Sequence, residues 1–281
     1  MPTVREALRA AVTKLDHSDS ADLDAQLLLT KVLDKPRSWL YAWPDYELTN
    51  AQLQQFQLLT DRRREGEPVA YLCGKRAFWN IELKVAPAVL IPRPETELLV
   101  ELALELGPVG SAMVADLGTG SGAIALALAG ERPAWQLHAT DNSDAARQIT
   151  ALNCTALALS NVQVLAGSWC DALQATGYQL ILSNPPYIDA SDPHLQQSDV
   201  RFEPRSALVA DEQGLADLRQ IAGQARNKLA VDGWLLLEHG WQQGAAVRDI
   251  LHTLGYQHVA TRQDHGQRDR VTLGRWTGTS L

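Results

Sequence analysis

The stretch Ala112–Glu131, "AMVADLGTGSGAIALALAGE", decides the fold because a glycine-rich turn joins a short apolar run to an apolar helix. The run "AMVADLG" is typical of a buried strand. The glycines follow the pattern Gly-x-Gly-x-Gly, which differs from the dinucleotide fingerprint, and no Gly-Lys-Ser/Thr follows to make a P-loop. The stretch therefore predicts the first strand–turn–helix unit of an α/β domain.

The same alternation of apolar runs and helical segments continues toward the C-terminus. Further strand-like runs are "WQLHATD" from Trp135, "VQVLAGS" from Val162, "YQLILSN" from Tyr178 and "GWLLLEHG" from Gly233. Strands that alternate with helices predict a parallel sheet covered on both faces. The end of the chain, from Gly255 to Trp276, predicts an antiparallel hairpin at the sheet edge. We therefore expect a mostly parallel sheet of seven strands.

The N-terminal part of the chain has a different pattern. Segments that begin at Thr3, Ser20 and Thr49 carry apolar residues at helical spacing, with Ser20 and Asn50 as expected N-caps. Alternating residues around Asn80 predict a β-hairpin. We expect a small helical domain over 1–76, a hairpin linker over 77–92 and the α/β domain over 93–281.

Composition narrows the classes of partner and cofactor. The net charge is −8, which disfavours stable nucleic-acid binding because phosphates need a basic surface. Cys73, Cys154 and Cys170 form no metal-binding pattern, nor do the seven histidines, so we expect reduced thiols and no metal. The charged N-terminus differs from a signal peptide, and no apolar run approaches the roughly 20 residues that span a bilayer. We expect a cytoplasmic protein without membrane contact.

Ligands of open parallel sheets bind at the carboxyl ends of the strands. The turn after the first strand allows a ligand to approach the backbone, although it could be a structural turn only. Asp141 ends the second strand, nineteen positions after Gly122, where a carboxylate can bind both hydroxyls of a ribose. Its alternative role is an N-cap, which Ser143 could equally provide. Trp169, after the third strand, suits either a purine ring or core packing.

The fourth strand ends in Asn184-Pro185-Pro186-Tyr187, which alone would be a strand terminator followed by a loop. On the same rim as the turn and Asp141, it can instead hold a planar –NH2 group. The Asn184 side-chain oxygen and the Pro185 carbonyl would accept its two N–H bonds, and Tyr187 could pack over it. Such a site positions a poor nitrogen nucleophile for methyl transfer.

Several long motifs together resemble a known family. "DLGTGSGAIALAL", Asp141 and "NPPY" look like a class I (Rossmann-like) S-adenosylmethionine-dependent methyltransferase that acts on nitrogen. "GEPVAYLCGKRAFW", "LIPRPETELLV" and "FEPRSALVADEQGL", with the helical N-terminus, resemble the HemK-type family of peptide chain release factor N5-glutamine methyltransferases. The resemblance covers almost the whole chain.

The resemblance implies methylation of the glutamine amide in the Gly-Gly-Gln motif of class 1 release factors, with S-adenosyl-L-homocysteine as product. We expect a monomer, and the resemblance implies that its partner is the release factor, bound in part by the N-terminal domain. It places the glutamine on Asn184, Pro185, Pro186 and Tyr187, of which Asn184, Pro185 and Tyr187 are catalytic. It places the methyl donor on Gly118, Thr119, Gly120, Ser121, Gly122, Asp141, Trp169 and Asn184.

One position departs from the family pattern. Many members carry an acid before the tryptophan to bind the adenine amino group, and here Ser168 occupies it. The Ser168 hydroxyl or Asp171 could replace that contact. The long segment 188–214 could dock the protein substrate through Arg201, Phe202 and Glu203, or these residues could be structural.

Two other functions remain open at this point. A DNA or RNA amino-methyltransferase also needs Asn-Pro-Pro-Tyr, but it needs a basic surface as well. A noncatalytic binding module would keep the fold and lose turnover, and the intact Asn184 and glycine turn argue against it.

Overall fold

The computed structural model describes residues 1–16 and 18–278. They divide into two compact units. The first, the helical unit, contains Met1–Lys75 and Gln196–Phe202, and the second, the sheet unit, contains Arg76–Leu195 and the chain from Glu203 onward. Each unit has buried apolar residues of its own.

Amphipathic helices build the helical unit around buried leucines such as Leu28 and Leu29. Helix α4 begins with a capping box in which the Thr49 hydroxyl accepts from the Gln52 N–H, so Asn50 is its first residue. The predicted cap at Asn50 was therefore wrong by one position. The helices are α1 (Val4–Lys14), α2 (Ala21–Leu33), α3 (Arg37–Ala42), α4 (Asn50–Arg64) and α5 (Val69–Cys73).

The segment 196–202 belongs to the helical unit, and an ion pair and a hydrogen bond hold it there. The half-buried Arg63 guanidinium lies 2.8 Å from carboxylate oxygens of both Asp24 and Asp199. Arg201 donates to the Glu65 carbonyl. The side chains of Arg63 and Arg201 thus tie a segment that follows the Asn-Pro-Pro-Tyr motif to the end of α4.

The sheet unit begins with a two-stranded hairpin, β1 (Lys75–Phe78) and β2 (Ile81–Lys84). A seven-stranded sheet follows in the described residues, made of β3 (Met113–Leu117), β4 (Gln136–Asp141), β5 (Val162–Ala166), β6 (Tyr178–Ser183), β7 (Leu229–Glu238), β8 (Gln257–Gln263) and β9 (Asp269–Trp276). The helices of this unit are α6 (Glu97–Leu106), α7 (Ala123–Glu131), α8 (Asp144–Ala156), α9 (Asp211–Gly214), α10 (Ala216–Ala225) and α11 (Gly244–Thr253).

The strand order is β5-β4-β3-β6-β7-β9-β8. The strands from β5 to β7 are parallel to their neighbours, whereas β9 is antiparallel to both β7 and β8. The chain moves outward from β3 through β4 to β5 and then crosses to β6 on the other side of β3. The order therefore reverses at β3, and the carboxyl ends of β3, β4 and β6 border the crevice where ligands of such sheets bind.

Alternate residues of β3 bury opposite faces of the sheet. Val114 packs with Leu99 of α6 and Leu126 of α7, while Ala115 belongs to the core with Ile221 of α10. Helices thus cover both faces, which explains why the strands read as continuous apolar runs. The predicted fold class, an α/β methyltransferase-type domain with a mostly parallel seven-stranded sheet, a helical N-terminal region and a β-hairpin, is confirmed.

Candidate methyltransferase site

The glycine turn between β3 and α7 has a backbone that favours glycine. Gly118, Gly120 and Gly122 have φ values of +71°, +58° and +86°, which lie in the left-handed region. The backbone N–H groups of Gly118 and Thr119 both donate to the Thr140 carbonyl at 2.9 Å, which fastens the turn to the end of β4. The turn is thus preformed, with its open side toward the carboxyl ends of the strands.

Asp116, at the end of β3, lies buried beneath this turn. Its Oδ2 accepts from the Thr119 hydroxyl at 2.6 Å and from the Ala125 N–H at 3.3 Å. Its Oδ1 is buried and has no hydrogen-bond partner among the described residues. Burial raises the pKa of the Asp116 carboxyl to about 6, although these two hydrogen bonds act in the opposite direction.

Asp141, at the end of β4, binds the turn from the other side. One carboxylate oxygen accepts from the Gly120 N–H at 3.0 Å and the other from the Ser143 N–H at 2.8 Å. The N-cap of α8 is Ser143, whose hydroxyl accepts from the Ala146 N–H. The capping role thus belongs to Ser143. Each oxygen of Asp141 keeps a second lone-pair position for a ligand.

Trp169 begins a short 3₁₀ helix after β5 and lies against the glycine turn. A Cβ atom at Gly118 would lie 2.9 Å from Cζ3 of this ring, so only glycine fits there. Burial raises the pKa of Asp217, near the start of α10, and the neighbouring Trp169 side chain acts in the opposite direction. Asp171 is exposed and accepts a hydrogen bond from Gln224 at 3.2 Å. The acid next to Trp169 in space is therefore Asp217.

The Asn-Pro-Pro-Tyr segment leaves β6 at the same edge. The Asn184 Nδ2 donates to the Thr96 hydroxyl at 3.1 Å, and Pro185 and Pro186 are buried. The Tyr187 ring packs against the core on the α10 and α11 side, and its hydroxyl donates to Glu238 at 3.3 Å. Burial, followed by the nearby Glu238, raises the pKa of Tyr187. The stacking of Tyr187 on an acceptor stays a prediction.

These elements border one cavity of about 300 Å³ in the sheet unit. The predicted site residues on its wall are Gly118, Thr119, Gly120, Ser121, Asp141, Trp169, Asn184 and Pro186. Gly122, Pro185 and Tyr187 do not line it. Gly122 packs instead on Leu126, since a Cβ atom there would lie 2.8 Å from that side chain.

Several residues of this region escaped the sequence analysis. Thr96 and Arg93 lie in "LIPRPETELLV", a motif noted for its resemblance without a role for either side chain. Both line the cavity, and Arg93 pairs with the buried Glu203. This ion pair favours the structural alternative for Glu203. The pattern of strand ends could not indicate Asp217 as a site residue, because Asp217 lies on a helix.

Two absences apply to the described residues only. Residues 1–16 and 18–278 contain no group of three or more His, Cys, Asp or Glu side chains placed to hold a metal ion. Among the same residues, every helix is too short or too polar to cross a bilayer.

Comparison with known proteins adds independent findings. The model of the PrmC N-terminal domain matches residues 6–74, and that of the methyltransferase small domain matches residues 94–200. A release factor glutamine methyltransferase of Vibrio cholerae is 52% identical over 98% of this chain and 97% of its own length. The Escherichia coli protein of the same name is 49% identical, over 96% and 97%.

Solved structures agree on the fold. A methyltransferase from Pyrococcus furiosus superposes with a TM-score of 0.55 at 18% identity, over 72% of this chain and 92% of that chain. At this identity the likeness concerns the fold alone. Because the full-length relatives are about half identical to it, the chain is a methyltransferase that belongs to the release factor glutamine methyltransferase family.

Proposed function

We propose that this protein transfers a methyl group from S-adenosylmethionine to the side-chain amide nitrogen of the glutamine in the Gly-Gly-Gln motif of class 1 release factors. The names of the relatives support the release factor as substrate. The observation that carries the proposal is that Asn184 lies on the wall of the same cavity as Asp141 and the glycine turn. A carboxamide anchor and a ribose-binding carboxylate thus face one space.

The residues of the cavity fit the methyl donor. S-Adenosylmethionine supplies an electrophilic methyl group on a positively charged sulfur. The free lone-pair positions of Asp141 suit the two ribose hydroxyls, and the open backbone at Gly118 and Gly120 allows close approach of the ligand. The indole of Trp169 offers a flat face for the adenine ring.

The adenine amino group needs an acceptor, and Ser168 stands where the family carries an acid. Asp217 lines the cavity, and the neighbouring Trp169 side chain stabilises its carboxylate. We assign the adenine contact to Asp217. Asp217→Asn should weaken binding of S-adenosylhomocysteine in calorimetry and reduce its preference over the inosine analogue, which lacks the amino group. Equal discrimination by the variant and the wild type would remove this assignment.

The acceptor amide is held by hydrogen-bond acceptors that stay unprotonated, and the one N–H proton that the nitrogen loses on methylation passes to water. The Asn184 side-chain oxygen and the Pro185 carbonyl accept its two N–H bonds, and the two prolines keep that backbone rigid. Asn184→Ala should lower kcat by about 10²–10³-fold while donor affinity stays within twofold. An unchanged kcat would remove Asn184 from the reaction.

The direct test uses labelled methyl donor and a full-length release factor. The wild-type factor should become labelled, and a factor whose Gly-Gly-Gln glutamine is replaced by alanine should not. Label on both factors would place the modification elsewhere, and label on neither would refute the proposed substrate.

We further assign substrate docking to the helical domain, residues 1–76, with residues 77–92 as linker and 93–281 as the catalytic domain. Tyr41 and Trp43 are exposed on the helical unit, and Trp43 stacks on Trp39 at 6.4 Å between ring centres. Exposed aromatic clusters are typical of protein interfaces. Trp43→Ala should raise KM for the release factor without a change in donor affinity. Leu58→Ala, equally exposed on the same unit, is the matched control.

A further inference from the structure

A buried hydroxyl connects Asn184 to a buried carboxylate. Thr96, the residue before α6, is 4% exposed and accepts the hydrogen bond from Asn184 Nδ2 at 3.1 Å. The Thr96 side chain also stabilises the ionised form of Glu238, which ends β7, is 1% exposed and has a buried Oε2 without a hydrogen-bond partner among the described residues. The three side chains come from three different elements of the sheet unit, and Thr96 interacts with both of the others.

The direction of each bond follows from the chemistry of its groups. An ionised carboxylate only accepts, so the single proton of the Thr96 hydroxyl points to Glu238. The lone pairs of the hydroxyl then remain for a donor, and the only donor of the Asn184 side chain is its Nδ2. The carboxamide of Asn184 is therefore turned with its nitrogen toward Thr96, and its oxygen is left to the cavity.

The geometry points to Thr96 and Glu238 as positioning residues that fix the rotamer of the Asn184 amide so that its oxygen, and not its nitrogen, meets the N–H groups of the acceptor. The inference rests on the proposed function, because it concerns how that acceptor is held. An Asn184 amide turned the other way would present a donor to the donor groups of the substrate.

The other groups around Glu238 hold its carboxylate in place. The Tyr187 hydroxyl donates to Oε1 at 3.3 Å, which makes this residue a second anchor of the same carboxylate. Arg270 also acts on Glu238 through its positive charge, and it is itself paired with Asp264 at 3.1 Å. Glu95 has the opposite effect on the carboxylate.

Protonation of Glu238 would change the direction in which the Thr96 hydroxyl donates. Burial raises the pKa of Glu238 to about 7, whereas Thr96, Arg270 and Tyr187 stabilise its ionised form. A protonated Glu238 can donate to Thr96, which frees the Thr96 proton to turn toward the oxygen of Asn184. The inference therefore predicts that kcat falls as the pH drops below about 7.

The first test compares Thr96→Val with Thr96→Ser. Valine keeps the shape and removes the hydroxyl, so kcat should fall about 10- to 100-fold, the usual range for groups that orient a functional side chain, with donor affinity within twofold by calorimetry. Serine keeps the hydroxyl and should restore most of the kcat lost in the valine variant. Equal losses in both variants, or none in the valine variant, would overturn the inference.

The control for a buried threonine is Thr60→Val. Thr60 is buried in α4, and its hydroxyl donates to the Phe56 carbonyl, remote in sequence from the cavity residues. Its kcat at saturating release factor should equal that of wild type. Melting temperatures of all variants separate loss of folding from loss of the hydroxyl.

The second test does not depend on methyl transfer. In ¹⁵N spectra the side-chain NH2 signals of Asn184, assigned by their loss in Asn184→Asp, should shift with a midpoint near pH 7. The shift should vanish in Glu238→Gln. The fall of kcat at low pH should also disappear in this variant. Signals that titrate equally in this variant would overturn the inference. A wild-type protein that shows the shift but does not label a release factor would refute the proposed substrate alone.

Discussion

Asp141→Asn tests the ribose site with the least change of shape. In the structure each carboxylate oxygen accepts a backbone N–H, from Gly120 at 3.0 Å and from Ser143 at 2.8 Å. Asparagine replaces one oxygen by an NH2 group, which cannot accept. Whichever way the amide turns, one acceptor position toward the ligand and one toward the backbone are lost.

The expected magnitude follows from the hydrogen bond to the ribose. A hydrogen bond to a charged group contributes about 1.5–3 kcal/mol, and a tenfold change in affinity corresponds to about 1.4 kcal/mol. Loss of one such bond should weaken donor binding roughly 10- to 150-fold. Loss of the bond to the Gly120 N–H loosens the turn and adds to this effect.

The assay is titration calorimetry with S-adenosylhomocysteine and with its 2′-deoxy and 3′-deoxy analogues. The wild type should lose affinity for at least one deoxy analogue, and the variant should lose little more, because the partner of that hydroxyl is already gone. Ser143→Ala is the control, since it removes the α8 cap without touching the carboxylate and should lower only the melting temperature. If the losses of affinity caused by the Asp141→Asn variant and by the deoxy analogue were additive, a direct contact between Asp141 and the ribose would be refuted.

Three further perturbations have defined outcomes. Gly118→Ala should lower both the melting temperature and donor affinity, because alanine at φ +71° is strained by about 1–2 kcal/mol and its Cβ would collide with Trp169. Its control is Gly130→Ala, which has open space around its Cβ and should lower neither quantity. Asp116→Asn should flatten the dependence of the melting temperature on pH. The native Asp116 binds its proton more tightly than the unfolded chain does, so wild-type stability falls by about 3 kcal/mol as the pH rises from the ordinary aspartate pKa of 3.8 to about 6, and an unchanged profile would contradict the raised pKa. Phe78→Ala should cost about 3–5 kcal/mol in the free energy of unfolding, because this side chain of the hairpin is 2% exposed in the core of the sheet unit; a loss below 1 kcal/mol would show that the hairpin packs loosely.

The order of elements in the sheet unit was predictable because its signals are local. Each strand of the parallel sheet is buried on both faces, so it appears in the sequence as a continuous apolar run. The turn at Gly118 and Gly120 needs left-handed backbone, which leaves a glycine pattern in the sequence. Asp141 and Asn184 could be placed on one rim because the carboxyl ends of parallel strands meet at one edge.

The partners of these residues were not predictable in the same way. The sequence allows Asp141 to be either a ribose ligand or a helix N-cap, and only the hydrogen bonds of Ser143 show that Ser143 is the N-cap of α8. The acid beside Trp169 is Asp217, which lies far along the chain on α10. Ser168 and Asp171, the predicted replacements for the missing acid, are neighbours of Trp169 in sequence, and their contact with adenine stays a prediction; Asp171 accepts a hydrogen bond from Gln224.

The sequence by itself determined the fold class, the family and the rim on which the chemistry lies, because periodicity, turn residues and long motifs depend on neighbours along the chain. Only the tertiary structure decided how Asn184 is oriented. Its partner Thr96 comes from the start of a helix far along the chain, and Thr96 becomes buried, so that its hydroxyl needs a hydrogen-bond partner, only when the helices close over the sheet.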